Sequence, residues 1–481
     1  MLFNSIEFAV FLPVVFLLYW FVFNRNLRLQ NLFVVVASYV FYGWWDWRFL
    51  LLIAFTSLCS YGSGLWIGKY RNSPQKARAV NILNIVVNLL ILGVFKYYDF
   101  FVTSFATLFL GGRTDGLLLK VILPVGISFY TFQALSYSID VYRGKMEPTR
   151  DVIQFFAYVS FFPQLVAGPI ERATNLLPQF AKPRTFDYET GVDGMRQILW
   201  GLFKKMVIAD NCAVYVDQVF STYQTQTGST LLLAAVFFAF QIYGDFSGYS
   251  DIAIGTAKLF GIKLMRNFNV PYFSRDIAEF WRRWHISLTT WFRDYVYIPM
   301  GGSRCSKAKI VRNTFVIFLL SGFWHGANWT YVAWGFYHAA LFLPLILLGK
   351  NKRFRNVVAE DRIIPNLRES FQMVLTFFLV TMGWIIFRAD SISIAYRYLQ
   401  NLFDVSLFSI PWLMTRRYYI PLFLSLTVMF LIEWLNRNGE LRFDCLCKHS
   451  VWLRYLFYCV LLFSIVFLHP VDNVQFIYFQ F

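Results

Sequence analysis

The stretch FVIFLLSGFWHGANWTYVAWGFYHAALFLPLILL, residues 315–348, decides the fold class because it contains no Lys, Arg, Asp or Glu. Two apolar segments meet within it at Gly326 and Asn328, and His325 lies at the junction. A helix crosses a bilayer with about 20 apolar residues, and the second segment is long enough to do so. The stretch therefore predicts membrane-embedded helices with an ionisable side chain between them.

The composition of the whole chain supports a membrane protein. The 481 residues are 58% hydrophobic and 21% aromatic, and only 15% are charged, whereas a soluble domain has roughly 25% charged residues. Apolar segments recur from Phe8 to Leu468 without a polar block long enough to fold separately. We predict an all-α, polytopic transmembrane protein in which residues 1–481 form a single domain.

The length rule predicts about 11 spans together with interfacial or re-entrant helices. The candidate spans are residues 6–23, 30–45, 48–68, 79–95, 119–141, 152–168, 230–243, 328–349, 371–387, 420–436 and 452–469. Residues 97–110, 194–220 and 311–325 are apolar but interrupted. Such segments suit helices that are covered by protein or line a cavity.

The segment EFWRRWHISLTTWFRDYVYIPMGGSR, residues 279–304, has the periodicity of one amphipathic helix at a membrane surface. Arg282 and Arg283 fall largely on its polar side. The stripe on the other side consists of Trp281, Trp284, His285, Leu288, Trp291, Phe292 and Tyr295. Two interpretations of His285 remain open, an amphipathic side chain in an aromatic belt and a functional residue.

His325 is harder to explain as a packing residue. If Arg312 lies at the cytoplasmic interface, thirteen helical residues carry His325 roughly 20 Å inward, past the centre of a core about 30 Å thick. A titratable group at that depth is a functional-site hypothesis by default. The alternative is a structural histidine whose ring nitrogens are satisfied by Asn328 or Ser321.

A third polar cluster lies in QIYGDFSGYSDIAIG, residues 241–255, where Asp245, Ser247, Tyr249 and Asp251 interrupt an apolar context. Each could orient a histidine from outside the reacting groups. A structural hydrogen-bond network explains the cluster equally well. Gly244 and Gly248 form one of three G-x-x-x-G pairs, which favour close helix packing; the others are Gly64 with Gly68 and Gly322 with Gly326.

The formal net charge of +17 comes from Lys and Arg spread over many short loops, such as residues 350–355. This distribution is typical of the positive-inside rule, so we exclude nucleic acid as a partner. The same loops should attract anionic membrane lipids and the phosphates of a cytoplasmic donor.

The sequence lacks the motifs of several common classes of enzyme. The sequence contains no G-x-S-x-G elbow, P-loop, G-x-G-x-x-G or H-E-x-x-H, so serine hydrolysis, nucleotide hydrolysis and zinc proteolysis are poorly supported. Cys445, Cys447 and His449 are close together, but a fourth ligand is missing, and we expect no metal. His338, His449 and His469 are interpreted as structural.

A neutral histidine in a low-dielectric tunnel is suited to taking the proton from an attacking hydroxyl. Burial keeps such a base unprotonated. General-base catalysis contributes about 10²- to 10⁴-fold in rate, so bringing donor and acceptor together must supply much of the remainder.

Five segments resemble signatures of the membrane-bound O-acyltransferase family, in its bacterial alginate O-acetyltransferase-like branch. The resemblance extends over essentially the whole chain. The segments are VASYVFYGWWD, FFPQLVAGPIER, QIYGDFSGYSDIAIG, FWRRWHISLTTWFRDYVYIPMGG and LSGFWHGANWTYVAWG.

The resemblance implies a ring of tilted helices around a central tunnel, with His325 as the catalytic histidine and His285 as a second histidine that supports the reacting groups. We expect Arg282 and Arg283 near the phosphates of the donor. The expected second-layer or tunnel residues are Asp245, Tyr249, Asp251, Asn328, Trp324 and Trp281.

The resemblance also implies substrates and partners. The donor would be acetyl-CoA or another acyl thioester, with no bound cofactor. The acceptor would be an extracytoplasmic, alginate-like polysaccharide, and a separate extracytoplasmic acetyltransferase would complete the transfer. The expected location is the bacterial inner membrane.

Alternatives remain within and outside this enzyme class. The chain could instead be a peptidoglycan O-acetyltransferase or a teichoic-acid D-alanyl transferase. A non-catalytic acyl-group transporter would also place polar residues at membrane depth, and a scaffold that recruits an extracytoplasmic enzyme would need no catalytic histidine.

Overall fold

The computed structural model describes residues 1–114, 116–166, 168–439, 450–470, 474, 476 and 477. Within these residues the secondary structure is helical and contains no strand. The α-helices are α1 (Ile6–Leu17), α2 (Leu27–Gly43), α3 (Phe49–Lys69), α4 (Pro74–Leu92), α5 (Tyr98–Phe109), α6 (Ile127–Tyr142), α7 (Val152–Ser160), α8 (Phe162–Leu165), α9 (Ala173–Phe180), α10 (Tyr188–Leu202), α11 (Asp210–Ser221), α12 (Gly228–Leu259), α13 (Ile277–Arg283), α14 (Ile286–Phe292), α15 (Lys307–His325), α16 (Trp329–Leu347), α17 (Leu367–Arg388), α18 (Ile392–Leu402), α19 (Arg416–Leu435) and α20 (Val451–Phe467).

The all-helical, multi-pass class predicted from the sequence is confirmed. In the described part of the chain, six helical segments are long and apolar enough to cross a membrane. These are Phe49–Lys69, Pro74–Phe109, Gly228–Leu259, Trp329–Leu347, Leu367–Arg388 and Arg416–Leu435. Two shorter apolar helical segments, Ile6–Val22 and Val451–Phe467, overlap the first and last predicted spans.

The span predicted over 230–243 is only part of the longer helix α12, Gly228–Leu259. Three further predicted elements differ from the structure. The span predicted over 119–141 has no helix before Ile127. The span predicted over 152–168 is divided at Phe161 into α7 and α8, neither of which is long enough to cross a bilayer. The prediction of a single amphipathic helix from Trp281 to Tyr295 is wrong, because the helix is interrupted at Trp284 and His285, between α13 and α14.

The chain divides into two compact units. The first comprises residues 1–198 and 252–265. A polar contact joins α3, α4 and α6 within this unit, where the Asn84 amide donates to Ser138 Oγ at 2.9 Å and the Ser60 hydroxyl donates to Asn84 Oδ1 at 3.3 Å. Side chains of this kind are the hydrogen-bonding groups that join helices in a membrane. Gly64 packs against the ring of Tyr137 in the same place, as its G-x-x-x-G pattern predicts.

The second unit comprises residues 199–251 and 266–481. Gly244 and Gly248 of α12 allow the neighbouring backbone to approach closely, since a Cβ there would lie 2.9 Å from Lys204 O and 2.7 Å from Gly201 O. Helices α15 and α16 form a hairpin joined by only three residues, 326–328. This hairpin places the end of α15 against the start of α16.

Candidate active site

His325 is the last residue of α15, and Gly326 continues in an extended conformation. The helix therefore ends at the junction predicted from the sequence. Its imidazole is buried, with 5% of the side chain exposed. Three aromatic rings surround it, with centroid distances of 5.0 Å to Trp324, 5.3 Å to Trp334 and 5.3 Å to Phe387.

His285 occupies the break between α13 and α14. Its backbone is left-handed, with φ 43° and ψ 54°, a conformation that non-glycine residues rarely adopt. The side chain is 1% exposed and meets the ring of Phe246 edge-on at 4.6 Å. Although the helix is interrupted here, every residue of the predicted apolar stripe from Trp281 to Tyr295 is buried.

The two histidines lie side by side. Their ring centroids are 6.3 Å apart with an interplanar angle of 55°. Trp324 contacts both, at 5.7 Å from His285 and 5.0 Å from His325. A small reacting group bound there could reach both imidazoles, which are 40 residues apart in the chain.

The environment of His285 keeps its imidazole neutral. Burial lowers the pKa of His285 well below its ordinary value, and the neighbouring His325 lowers it further. A neutral imidazole has one nitrogen that can accept a proton. The buried position thus preserves a base at neutral pH.

The third polar cluster forms an ionic network between α12 and residues 204–210. Lys205 Nζ lies 2.8 Å from Asp245 Oδ1 and 2.6 Å from Asp210 Oδ1. Lys204 Nζ lies 2.6 Å from Asp251 Oδ2 and 2.9 Å from Ser247 Oγ. The carboxylates of Asp245 and Asp251 therefore bind lysines, which agrees with the interpretation of this cluster as a structural hydrogen-bond network.

Tyr249 and Asp245 also contact the C-terminal segment. The Tyr249 ring stacks on Phe476 with centroids 4.1 Å apart. The backbone N–H of Ile477 donates to Asp245 Oδ2 at 2.6 Å. Both contacts hold the part of α12 that carries Phe246, whose ring touches His285.

The two arginines predicted to bind the donor hold other parts of the protein. Arg283 is buried and donates to Glu279 Oε1 at 2.9 Å. Arg282 is exposed and donates to the carbonyls of Asn351 at 3.0 Å and Phe354 at 2.5 Å. Arg282 therefore anchors the basic loop of residues 350–355, and its role in donor binding stays a prediction.

Asn328 and Trp281 occupy the edges of the site. The Asn328 side chain accepts from Thr330 N at 3.0 Å to cap α16, and it donates to Asp390 O at 3.0 Å. Trp281 lies 5.5 Å from Trp334, a ring that also contacts His325. Both residues support the α15–α16 hairpin.

His338, interpreted from the sequence as structural, is fully buried on α16. Its ring lies 5.0 Å from Trp334 and 5.1 Å from Trp281. Among the described residues, no group of three or more His, Cys, Asp or Glu side chains could hold a metal ion. Cys445, Cys447 and His449 lie outside the described residues.

Four residues that support this site were not predicted from the sequence. Lys204 and Lys205 had a usable signal, because two adjacent lysines interrupt the apolar segment 194–220 and ionisable groups in such segments are rarely incidental. No pattern in the sequence indicated a role for Asn267 or Trp334. Their importance depends on contacts with residues distant in the sequence.

A comparison with protein families identifies the class. A sequence profile of the MBOAT, membrane-bound O-acyltransferase family, matches residues 32–380. The chain belongs to this family and is a multi-pass membrane O-acyltransferase. The resemblance noted in the sequence is therefore confirmed.

Individual relatives share much of the chain. It is 43% identical over 406 residues to the probable alginate O-acetylase AlgI of Pseudomonas aeruginosa, covering 84% of this chain and 75% of the relative. It is 31% identical to the peptidoglycan O-acetyltransferase of Helicobacter pylori, covering 100% and 98%. The teichoic acid D-alanyltransferase of Bacillus subtilis is 29% identical over 278 residues, covering 55% and 68%.

Proposed function

We propose that this protein transfers an acetyl group from a cytoplasmic thioester toward the hydroxyls of an extracytoplasmic polysaccharide. The single observation that carries the proposal is the buried pair of imidazoles, 6.3 Å apart, at the ends of helices in an O-acyltransferase. The similarity to alginate O-acetylases over 84% of the chain favours an acidic, alginate-like exopolysaccharide as the final acceptor.

His325 acts as the general base in this proposal. Its imidazole takes the proton from the attacking hydroxyl while the hydroxyl oxygen forms a bond to the thioester carbonyl carbon. The tetrahedral intermediate then expels the thiolate, and the imidazolium returns the proton to the thiolate sulfur. Acetyl ester and free thiol result, with no net proton taken up or released.

His285 holds the reacting groups in place or passes the proton. It is neutral, buried and in van der Waals range of Trp324, which also contacts His325. The aromatic rings around both imidazoles exclude water from the intermediate, which protects the thioester from hydrolysis. Trp281, Asn328, Asp245, Tyr249 and Asp251 fix the helices that carry this pair.

The donor is acetyl-CoA or another acyl thioester, and no bound cofactor is required. The basic loop of residues 350–355, anchored by Arg282, offers positive charge for the phosphates of such a donor. Membrane lipids surround the apolar helices in a bacterial inner membrane. A separate extracytoplasmic acetyltransferase then delivers the acetyl group to the polymer.

A peptidoglycan acceptor is the second candidate. The observation that favours it is the similarity to the Helicobacter pylori peptidoglycan O-acetyltransferase along the entire chain. Mass spectrometry of the surface polymers from cells with and without this protein separates the two. Loss of acetyl esters from peptidoglycan alone would replace the exopolysaccharide assignment.

The experiment for the mechanism replaces His325 by alanine. We expect acetyl ester formation to fall by at least about 10²-fold, the usual contribution of a general base, while the variant inserts into the membrane at normal levels. His469→Ala is the matched control, because His469 is exposed and distant in sequence from the pair. Full activity of His325→Ala would eliminate the proposed mechanism, and transport of acetyl groups without esterification would favour a transporter.

A further inference from the structure

The left-handed backbone of His285 is held by one short segment of the second unit. A residue other than glycine is strained in this conformation, which persists only where the surrounding structure enforces it. The segment 267–270 lies against the break between α13 and α14. It contains a second left-handed residue, the β-branched Val270 with φ 41°.

Asn267 provides most of the bonds in this segment. The residue is fully buried, and its carbonyl accepts from Ile286 N, the residue after His285, at 2.8 Å. Its side-chain Oδ1 accepts from Ser287 Oγ at 2.9 Å and from Ser287 N at 3.3 Å. Its Nδ2 donates to Ser250 Oγ on α12 at 3.1 Å.

The other side of the break is bonded to the same segment. The backbone N–H of Asn269 donates to Arg283 O at 2.9 Å, and the Arg283 guanidinium donates to Asn269 O at 3.3 Å. Between these bonds, the ring of Phe268 packs 5.0 Å from Trp284 and 6.4 Å from His285. Residues 267–269 therefore bracket the break from both ends.

We infer that Asn267 is a positioning residue, which fixes the backbone of His285 in its left-handed conformation and so holds the imidazole beside His325. The Asn267 side chain satisfies the first turn of α14 and ties it to α12. Without it, Ile286 and Ser287 keep only the single backbone bond to residue 267. The His285 backbone is then free to relax toward an ordinary helical conformation, which turns the ring away from its partner.

The test is Asn267→Ala, assayed with acetyl-CoA and polysaccharide in reconstituted membranes to which the extracytoplasmic acetyltransferase has been added. We expect kcat to fall about 10- to 100-fold, because a displacement of about 1 Å at a reacting group has that effect, while KM for both substrates is unchanged. Asn267→Asp keeps the Oδ1 acceptor and should lose less. Asn313→Ala is the matched control, since Asn313 is equally buried but bonds to Met300 O at 3.1 Å.

A double-variant cycle separates positioning from general destabilisation. In a His285→Ala background, Asn267→Ala should change kcat by less than about twofold, because residues that act as a unit are not additive. An equal loss with and without His285 would overturn the inference. If Asn267→Ala does not fold, Ser287→Ala removes one bond to Asn267, and an undiminished kcat there would overturn it as well.

The inference rests on the proposed acyl transfer, and the two can fail separately. Full activity of His325→Ala refutes the proposed function. Activity that needs both histidines but is insensitive to Asn267 refutes only the positioning role.

Discussion

Gly322 of α15 lies directly against the carbonyl of Tyr331 on α16, so closely that a Cβ built at residue 322 would overlap the carbonyl oxygen. The contact is one helical turn from His325, and it sets the separation of the two arms of the hairpin. Backbone cannot move aside in the way that the end of a flexible side chain can. Glycine at this position is a requirement of the site.

Gly322→Ala should therefore force α15 and α16 apart and displace His325. Inserting even one carbon into a tightly packed contact typically costs about 1–3 kcal/mol, and we expect a loss of activity of at least about tenfold. The measurement is acetyl transfer per folded protein, with the midpoint of thermal unfolding recorded in parallel. Gly62→Ala is the control, because no heavy atom lies within 4 Å of a Cβ at residue 62.

Lys205→Met should destabilise the second unit strongly. Lys205 is 1% exposed, and its ammonium lies between the carboxylates of Asp210 and Asp245. Removing the ammonium leaves two buried carboxylates without their cation. Breaking such a pair typically costs about 3–5 kcal/mol. The check is the unfolding midpoint in detergent micelles.

The control for that variant is Lys258→Met. Lys258 pairs with Asp193 at 2.5 Å, but the two side chains are 21% and 40% exposed. Partly solvated pairs of this kind contribute about 0–1 kcal/mol. Equal shifts of the unfolding midpoint in the two variants would show that the buried ion pairs of Lys205 stabilise the protein no more than the partly exposed pair of Lys258 does.

Glu171 should make stability depend on pH. Burial raises the pKa of this carboxyl from 4.5 to about 7, opposed by hydrogen bonds from Met265 N and the Asn175 amide. The folded chain therefore holds the proton more tightly than the unfolded chain. Stability falls as pH rises from about 4.5 to about 7, by about 3 kcal/mol in total, and changes little from this group above that range.

Glu171→Gln removes the group that titrates. We expect the fall in unfolding midpoint from about pH 4 to about pH 8, which lie on either side of that window, to be smaller in the variant than in the parent protein. Glu147→Gln is a suitable comparison, because Glu147 is 73% exposed beside Arg71. A pH dependence unchanged by Glu171→Gln would contradict the assignment.

Arg282→Ala tests whether the basic loop binds the donor. Removing the guanidinium releases the carbonyls of Asn351 and Phe354 and lowers the positive charge near the loop. Hydrogen bonds to a charged group contribute about 1.5–3 kcal/mol, so we expect the donor KM to rise about tenfold or more with kcat little changed. Arg293→Ala, which removes an exposed guanidinium paired with Asp294, should leave the donor KM unaltered.

Local sequence patterns predicted the class of the fold and the burial of individual side chains. The apolar lengths predicted helices such as α3, α16 and α17 to within a few residues. The three- and four-residue spacing from Trp281 to Tyr295 identified side chains that are all buried. These properties depend on residues near one another in the chain, which is why periodicity detects them.

Properties that depend on distant contacts could not be predicted in this way. The periodicity around His285 indicated one continuous helix. The left-handed break at His285 depends on hydrogen bonds to residues distant in sequence, from Ile286 N to Asn267 O on one side and from Asn269 N to Arg283 O on the other. Arg282 and Arg283 carried charge suited to phosphate, but the sequence could not indicate Glu279 or the carbonyls at residues 351 and 354 as their partners. The proximity of His285 to His325 came from the family resemblance and not from spacing.

The ending of α15 at His325 has an electrostatic consequence for the reaction. The last carbonyls of a helix have no partners within it and together carry a partial negative charge of about half an electron, aligned with the helix axis. His325 lies at this pole of a helix that is 19 residues long. In the proposed mechanism His325 carries the hydroxyl proton, and the pole favours positive charge on its imidazole at that stage. The backbone of α15 would then lower the energy of the imidazolium ion through which the proposed reaction passes.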